Sequence, residues 1–324
     1  MKLTRILGKF IAYLYFLAKY RSHTVAYAFA NNNIPLKATS FVHRKGGMLV
    51  FDGNKENSFP VHAIRYFNHP QLHFLVNLLN NPGVSVAEAG NGKVTFRVNG
   101  VIYPVSSQAN LSVVNEMFFD NYYNISTTQP CVLLDIGMNV GYASLYFSSF
   151  PNVKRIYSYE PFEETYTLAK QNFSLNKPVS EKISAYNYGI SNYTGSVDVP
   201  MLEGGSVIAS TEQSFIKDHN IHSTSSITVK VRDILDVLNE IRMENPGQQL
   251  ALKIDCEGEE YNILETMHAN KGFEKVIFLC IEWHFKGSAR IMEILHQNNF
   301  TVFDIPKSAE GEYGMIYGFR TAGA

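Results

Sequence analysis

Cysteine is scarce in this sequence: three residues among 324, Cys131, Cys256 and Cys280, with no clustered spacing. An odd, scattered set excludes a disulfide framework and a structural zinc site. Each cysteine falls in an apolar run that reads as a buried strand, so free thiols in a reducing cytosol are the ordinary reading. A basic excess is also missing, since the formal net charge is −1. Bulk charge therefore gives no support to a protein that grips a nucleic-acid backbone, and no nucleic-acid partner is expected. Internal repeats and low-complexity tracts are absent. What is present is ordinary for a folded chain: 45% apolar residues, 18% charged residues, and 22 Phe with 19 Tyr to build a core.

The N-terminus carries an apolar run, Phe10 to Ala18, preceded by Lys2, Arg5 and Lys9 and followed by Lys19 and Arg21. It is shorter than the roughly 20 residues that span a bilayer. Lys19 and Arg21 stand between this run and Ala28-Phe29-Ala30, which argues against a signal peptide with its cleavage site there. On a helix, Ile6, Phe10, Tyr13, Leu14 and Leu17 share one face, with Arg5, Lys9 and Phe16 beside it. Two readings follow: a helix docked on the protein itself, or residues 1–21 making peripheral contact with a membrane surface. The expected location is cytoplasmic, at the inner membrane surface if the second reading holds.

Residues 1–125 form one region, helical at first. From Met48 to about Val105 it breaks into strand-like pieces with turn signals at Phe51-Asp52-Gly53-Asn54, Asn81-Pro82-Gly83 and Asn99-Gly100. Val94–Val98 and Val101–Tyr103 around Asn99-Gly100 make a hairpin. Leu111 to Tyr123 reads as a helix. After Gln129-Pro130 the pattern alternates between strand and helix through residues 126–324, with strands at Cys131–Asp135, Arg155–Glu160, Ile183–Ile190, Leu250–Asp255 and Val276–Trp283. Strands apolar throughout are buried on both faces, so this region is an α/β domain with a doubly wound, mostly parallel sheet, behind an N-terminal α+β extension. Ser196–Pro200 and Ile227–Val231 look like an inserted hairpin. Phe300–Ile305 and Met315–Phe319 close the sheet as a hairpin-like end.

The sharpest motif is Asp135-Ile136-Gly137-Met138-Asn139-Val140-Gly141, where a buried strand turns into a helix. Glycine there permits unusual dihedrals and close approach to a ligand, and the helix behind it offers free N–H groups. The spacing is not the dinucleotide pattern Gly-x-Gly-x-x-Gly. The next strand ends at Glu160, whose carboxylate can accept both hydroxyls of a ribose. Together these features point to a nucleoside ligand at the carboxyl ends of the strands.

With Glu160-Pro161 and Lys253-Ile254-Asp255-Cys256-Glu257-Gly258-Glu259-Glu260, the loop resembles the FkbM family of class I methyltransferases, a Rossmann-like fold, from about Phe96 to Phe319. The resemblance implies S-adenosylmethionine as cofactor and O-methylation, often of sugar hydroxyls in glycans or of natural products. It also implies that Gly137 and Gly141 lie against the methionine part, that Asp135 holds its ammonium, that Glu160 binds the ribose and that Asn187 sits near the adenine. Asn139 belongs to the same cofactor set. Ser144 is a weaker candidate, as are Glu116 and Tyr123, which resemble a family helix that covers the cofactor.

Asp255, Glu257, Glu259 and Glu260 follow the fourth strand, and Glu282 and His284 end the fifth. An alcohol attacks a sulfonium methyl well only when its proton is taken up, so a carboxylate or histidine is needed. Asp255, Glu257 and His284 are the expected catalytic residues. No metal ligand is assigned, although the same three side chains are a set able to hold a divalent ion. Glu259 reads as solvated, and Glu260 as either a helix cap or a site residue. The expected function is methyl transfer to a hydroxyl of a sugar, glycan or related small molecule. The alternatives are a nucleoside-binding protein without catalysis and a nicotinamide oxidoreductase, the latter disfavoured by the glycine spacing. A base N-methyltransferase would carry a Pro-Pro-aromatic strand end where Asp255-Cys256-Glu257-Gly258 stands here.

Overall fold

The computed structural model describes residues 2–31, 33–36, 39–40, 42–51, 58–61, 64, 71–81, 83–90, 93–105, 108–118, 121–123, 127–201, 225–307 and 313–320. The chain divides into two compact units, Met1–Asn121 and Tyr122–Ala324, where the sequence placed a boundary at 125/126. The expected turn at Asp52 to Asn54 lies outside the described residues.

The first unit opens with helices α1 (Lys2–Tyr20) and α2 (His23–Asn31). They dock through Phe16 and Tyr20, both buried, whose rings meet Phe29 edge-on at 5.3 and 5.5 Å. The docked face is thus not the Ile6–Phe10–Leu14 face that amphipathic spacing singles out, because the contact is set by α2. Two antiparallel three-stranded sheets follow: β1 (Val42–Lys45), β2 (Met48–Phe51) and β3 (Ser58–Pro60), then β4 (Val84–Gly90), β5 (Lys93–Val98) and β6 (Val101–Val105). The hairpin between β5 and β6 turns on Asn99 and Gly100, at φ 49° and 86°. Two successive residues of positive φ match the right-handed twist of the strands, which is why Asn-Gly sits there. Between the sheets lies α3 (Gln71–Asn80), in a stretch that reads as strands in the sequence. Leu72, Leu75, Val76 and Leu79 bury a helical stripe, and that burial decides the conformation. Helix α4 (Gln108–Phe118) is shorter than the expected Leu111 to Tyr123 at its C-terminal end. Glu116 lies on it, half-buried.

The second unit is the doubly wound sheet. Its strands are β7 (Cys131–Ile136), β8 (Val153–Tyr159), β9 (Ile183–Tyr186), β13 (Gln249–Ile254), β14 (Val276–His284), β15 (Thr301–Pro306) and β16 (Tyr313–Phe319), in the order β15-β16-β14-β13-β7-β8-β9. All are parallel except β16, which runs antiparallel to both neighbours. Every residue of β7 is buried, as a strand covered on both faces requires. The connecting helices are α5 (Tyr142–Ser148), α6 (Glu163–Ser174), α7 (Ile234–Glu244), α8 (Glu260–Ala269) and α9 (Ala289–Gln297). Leu252, Ile254, Ile263, Leu264, Leu279 and Ile281 are among the fully buried side chains at their interface. Each such side chain contributes about 1.5–3 kcal/mol relative to an exposed one.

The third expected strand, Ile183–Ile190, is two strands. Asn187 and Tyr188 break it, and β10 (Gly189–Ser191) leaves the large sheet to pair with β12 (Ser225–Asp233). With β11 (Gly195–Met201) antiparallel to β12, this makes a separate small sheet of order β10-β12-β11. Two of the cysteines, Cys131 and Cys280, are buried in strands, whereas Cys256 sits in the turn after β13 and is only partly buried.

Candidate active site at the carboxyl ends of the strands

The turn after β7 has Gly137, Asn139 and Gly141 at φ 79°, 51° and 81°. A side chain at Gly137 would stand 1.8 Å from the backbone carbonyl of Asp255, so only glycine fits. Gly141 serves packing instead: a Cβ there would meet the Phe173 ring of α6 at 2.5 Å. The side on which a Cβ would stand is thus filled by α6.

Glu160, one residue past β8, is 5% exposed. Its Oε2 accepts the Asn139 backbone N–H at 3.0 Å and its Oε1 accepts that of Phe162 at 3.1 Å. Burial raises its pKa to about 7, against the pull of those two N–H groups. A buried carboxylate still so under-compensated has room for further donors, which is what the two hydroxyls of a ribose provide. Asn187, expected near the adenine, supports this strand end. Its Nδ2 donates to the carbonyls of Glu160 and Pro161 at 3.1 and 3.3 Å and so holds the chain that carries Glu160.

These parts frame a cavity of about 390 Å³. Gly137, Asn139 and Glu160 line one side, and Asp255, Cys256, Glu257 and Glu259 another. The small sheet supplies an apolar wall through Ile190, Val197, Val199, Val229 and Val231, a role the inserted hairpin did not disclose in the sequence. The size suits a small molecule, and a lining that is partly acidic and partly apolar suits a nucleoside. Glu259, read as solvated, accepts Ser191 Oγ at 2.5 Å and Asn262 Nδ2 at 3.2 Å. It therefore ties the start of α8 to β10.

Asp135 is fully buried, and its charge partner is part of the protein. Lys253 on the neighbouring strand places Nζ 3.2 Å from Asp135 Oδ1, 3.4 Å from Asp255 Oδ2 and 2.6 Å from the Gly137 carbonyl. Ser144 donates to Asp135 Oδ2 at 2.5 Å and meets Ser158 at 2.8 Å. The expectation that Asp135 holds a ligand ammonium is corrected: the Lys253 ammonium occupies that role. Burial alone would lower the Lys253 pKa, but Asp135 and Asp255 hold it up, so the lysine stays charged. The one sign of this in the sequence is a lysine inside an otherwise apolar strand. Tyr123 places its hydroxyl 3.5 Å from Asp255 Oδ2 and its ring 5.8 Å from the Lys253 ammonium.

Asp255, Glu257 and His284 do converge: one ligand atom from each lies within 4.8 Å of the others. Glu257 sits at φ 54° with Gly258 at φ 110°. A non-glycine residue in the left-handed region costs about 1–2 kcal/mol, so the turn holds Glu257 at a price. Burial raises the Glu257 pKa, and the nearby His284 offsets part of that rise. Glu260, undecided from the sequence, is fully buried and fixes His284. Its Oε1 accepts the His284 backbone N–H at 2.7 Å and faces Nδ1 at 3.3 Å, while Oε2 accepts the Gly258 N–H at 2.8 Å. His284 Nε2 then points toward Glu257 Oε2 at 3.7 Å and Glu282 Oε1 at 3.8 Å. Burial works against charge on the ring, but Glu260, Glu257 and Asp255 outweigh it and raise the pKa to about 10. The raised pKa favours the protonated ring, the form that gives up a proton rather than takes one. Two carboxylates and an imidazole whose other nitrogen faces a carboxylate also form a donor set that fits a divalent ion, which would displace that proton.

Comparisons with known proteins agree with this geometry in sequence. A family model described as the methyltransferase FkbM domain matches residues 135–302, just over half of the chain. Methyltransferase sdnD of Sordaria araneosa is 27% identical over 240 residues, which cover 66% of this chain and 91% of that protein. Among solved structures, methyltransferase FkbM from Methylobacillus flagellatus is 14% identical with a TM-score of 0.41. The match covers 65% of this chain and 54% of that one, so this chain spans about half its length. TrmK from M. capricolum, solved with S-adenosyl-homocysteine, is 11% identical with a TM-score of 0.34, over 62% of this chain and 66% of that one. The matched segment starts at Asp135 on the cofactor loop and runs past His284, so one domain holds both sides of the crevice: the chain belongs to the FkbM family of S-adenosylmethionine-dependent methyltransferases.

Proposed function

We propose that this enzyme transfers a methyl group to a hydroxyl of a sugar, a glycan or a related small molecule. The observation that carries the reading is the convergence of Asp255, Glu257 and His284, of which Asp255 and Glu257 line the cavity that Gly137, Asn139 and Glu160 also line. When bound, S-adenosylmethionine supplies an electrophilic methyl group. Gly137, Asn139 and Glu160 would hold it, while Asp135, Gly141 and Asn187 support the loops that do so. Glu257 takes the acceptor proton, since its raised pKa brings it nearer to neutrality than an ordinary carboxylate. Protonated His284 steadies the charge of Glu257. Asp255, already balanced by Lys253, aligns the acceptor. An acidic rim repels a phosphate backbone, which favours a neutral hydroxyl acceptor over nucleic acid.

The test is release of S-adenosylhomocysteine from S-adenosylmethionine in the presence of sugars, oligosaccharides and hydroxylated natural products. Glu257→Gln should lower turnover by at least about 10²-fold with cofactor affinity unchanged. Methylation of tRNA or amines with all hydroxyl acceptors inert would refute the acceptor class, and a Glu257→Gln enzyme at wild-type turnover would refute the base. A chelator arm decides between the protonated imidazole and a divalent ion held by Asp255, Glu257 and His284. Loss of activity restored by a divalent ion favours the metal.

A further inference from the structure

Helix α1 docks through one face and leaves the opposite one open. Ile6, Leu7, Phe10, Ile11, Leu14 and Tyr15 are each between 43% and 65% exposed. Their spacing places them on about half the circumference of the helix, and no charged residue falls within that arc. The basic side chains Lys9 and Lys19 turn to the body of the unit, donating to the carbonyls of Asn31 at 3.1 Å and Thr39 at 2.5 Å. The apolar strip continues into an open groove of about 440 Å³ walled by Ile11, Tyr15, Ile34 and Leu36. A contiguous apolar surface of this kind marks an interaction site.

Charge selects the occupant. The first 51 residues hold eight Lys and Arg and no Asp or Glu, which leaves 20 Lys and Arg against 29 Asp and Glu in the rest of the chain. A second copy would bring together two segments of the same charge sign. An anionic phospholipid surface meets both features at once, with headgroups for the basic residues and an acyl boundary for the apolar face. No described helix is long and apolar enough to cross a membrane, so α1 would lie flat. We propose that α1 anchors this enzyme to anionic phospholipid bilayers, with its Ile6–Leu14 face sunk into the interface.

The experiment is co-sedimentation of the full chain with vesicles of phosphatidylcholine alone or mixed with phosphatidylglycerol. Partitioning onto the anionic vesicles should exceed that onto neutral ones at least tenfold and fall as salt rises. Leu7→Glu/Ile11→Glu should lower it at least tenfold without changing S-adenosylhomocysteine affinity, since neither residue belongs to the cofactor site. Ile6→Ser/Phe10→Ser provides a second pair if the first does not fold. Absence of binding at low salt overturns the proposal, as does binding that both pairs leave intact. It is equally overturned if the wild type is a dimer that either pair converts to monomer, or if the face captures an acidic protein but no vesicle.

Discussion

The two sides of the crevice are built from different materials. At the ends of β7 and β8, backbone does most of the work on the cavity side: turn glycine and the Asn139 N–H, with the buried acid Glu160. At the ends of β13 and β14, side chains do it: Lys253, Asp255, Glu257, Glu260 and His284 form one connected set of charges. Backbone geometry recognises a ligand of unvarying shape, as a cofactor is. A charged side-chain set controls where a proton resides and can be retuned one residue at a time.

Lys253 belongs to both sides, so removing it should erase the distinction. Lys253→Met leaves Asp135 buried without a counter-charge, which should cost about 3–5 kcal/mol. For a unit of this size that is a fall in Tm of about 10 °C, read by thermal circular dichroism. Asp135→Asn with Lys253→Met should recover part of it, because the two changes share one ion pair. Equal stability of wild type and Lys253→Met would show that the pair does not hold the loop.

Glu160→Ala sharpens the comparison by touching one side alone. Calorimetry should show S-adenosylhomocysteine affinity lowered by about 10- to 100-fold, the range of hydrogen bonds to a charged group. Turnover at saturating cofactor should stay near wild type. A loss of turnover with unchanged affinity would mean that the sides are not separable.

The smallest effect is a slope. The His284 pKa rises from about 6.5 in the unfolded chain to about 10 in the fold. Its stabilising contribution is therefore complete below about pH 6.5 and is lost as pH rises through about 10. The Tm difference between wild type and His284→Gln should shrink over that interval. A difference constant with pH would show that the ring is neutral in the fold.

The backbone side was the more legible in the sequence. Asp135 to Gly141 and Glu160 are read directly, because turn glycines and strand ends leave fixed spacings. Alternating apolar runs such as Cys131–Leu134 and Phe278–Ile281 likewise announce buried parallel strands. Pairings across the sheet are not local in sequence: Lys253 finds Asp135 over 100 residues away, and Gly141 finds Phe173 on the next helix. Glu260 stays undecided in the sequence because its partner, His284, lies on the following strand. Which stripe of α1 is buried is not local in sequence either, since α2 chooses it.

The contact between Gly137 and the Asp255 carbonyl bears on how such an enzyme changes hands over time. A lineage adapting to a new acceptor cannot move the backbone at Asp255 without pushing the cofactor loop out of shape. Innovation is therefore steered away from that point, to side-chain swaps at Glu257 and to the wall of Val197, Val199 and Val229, which can be rebuilt while the inherited donor site stays as it is.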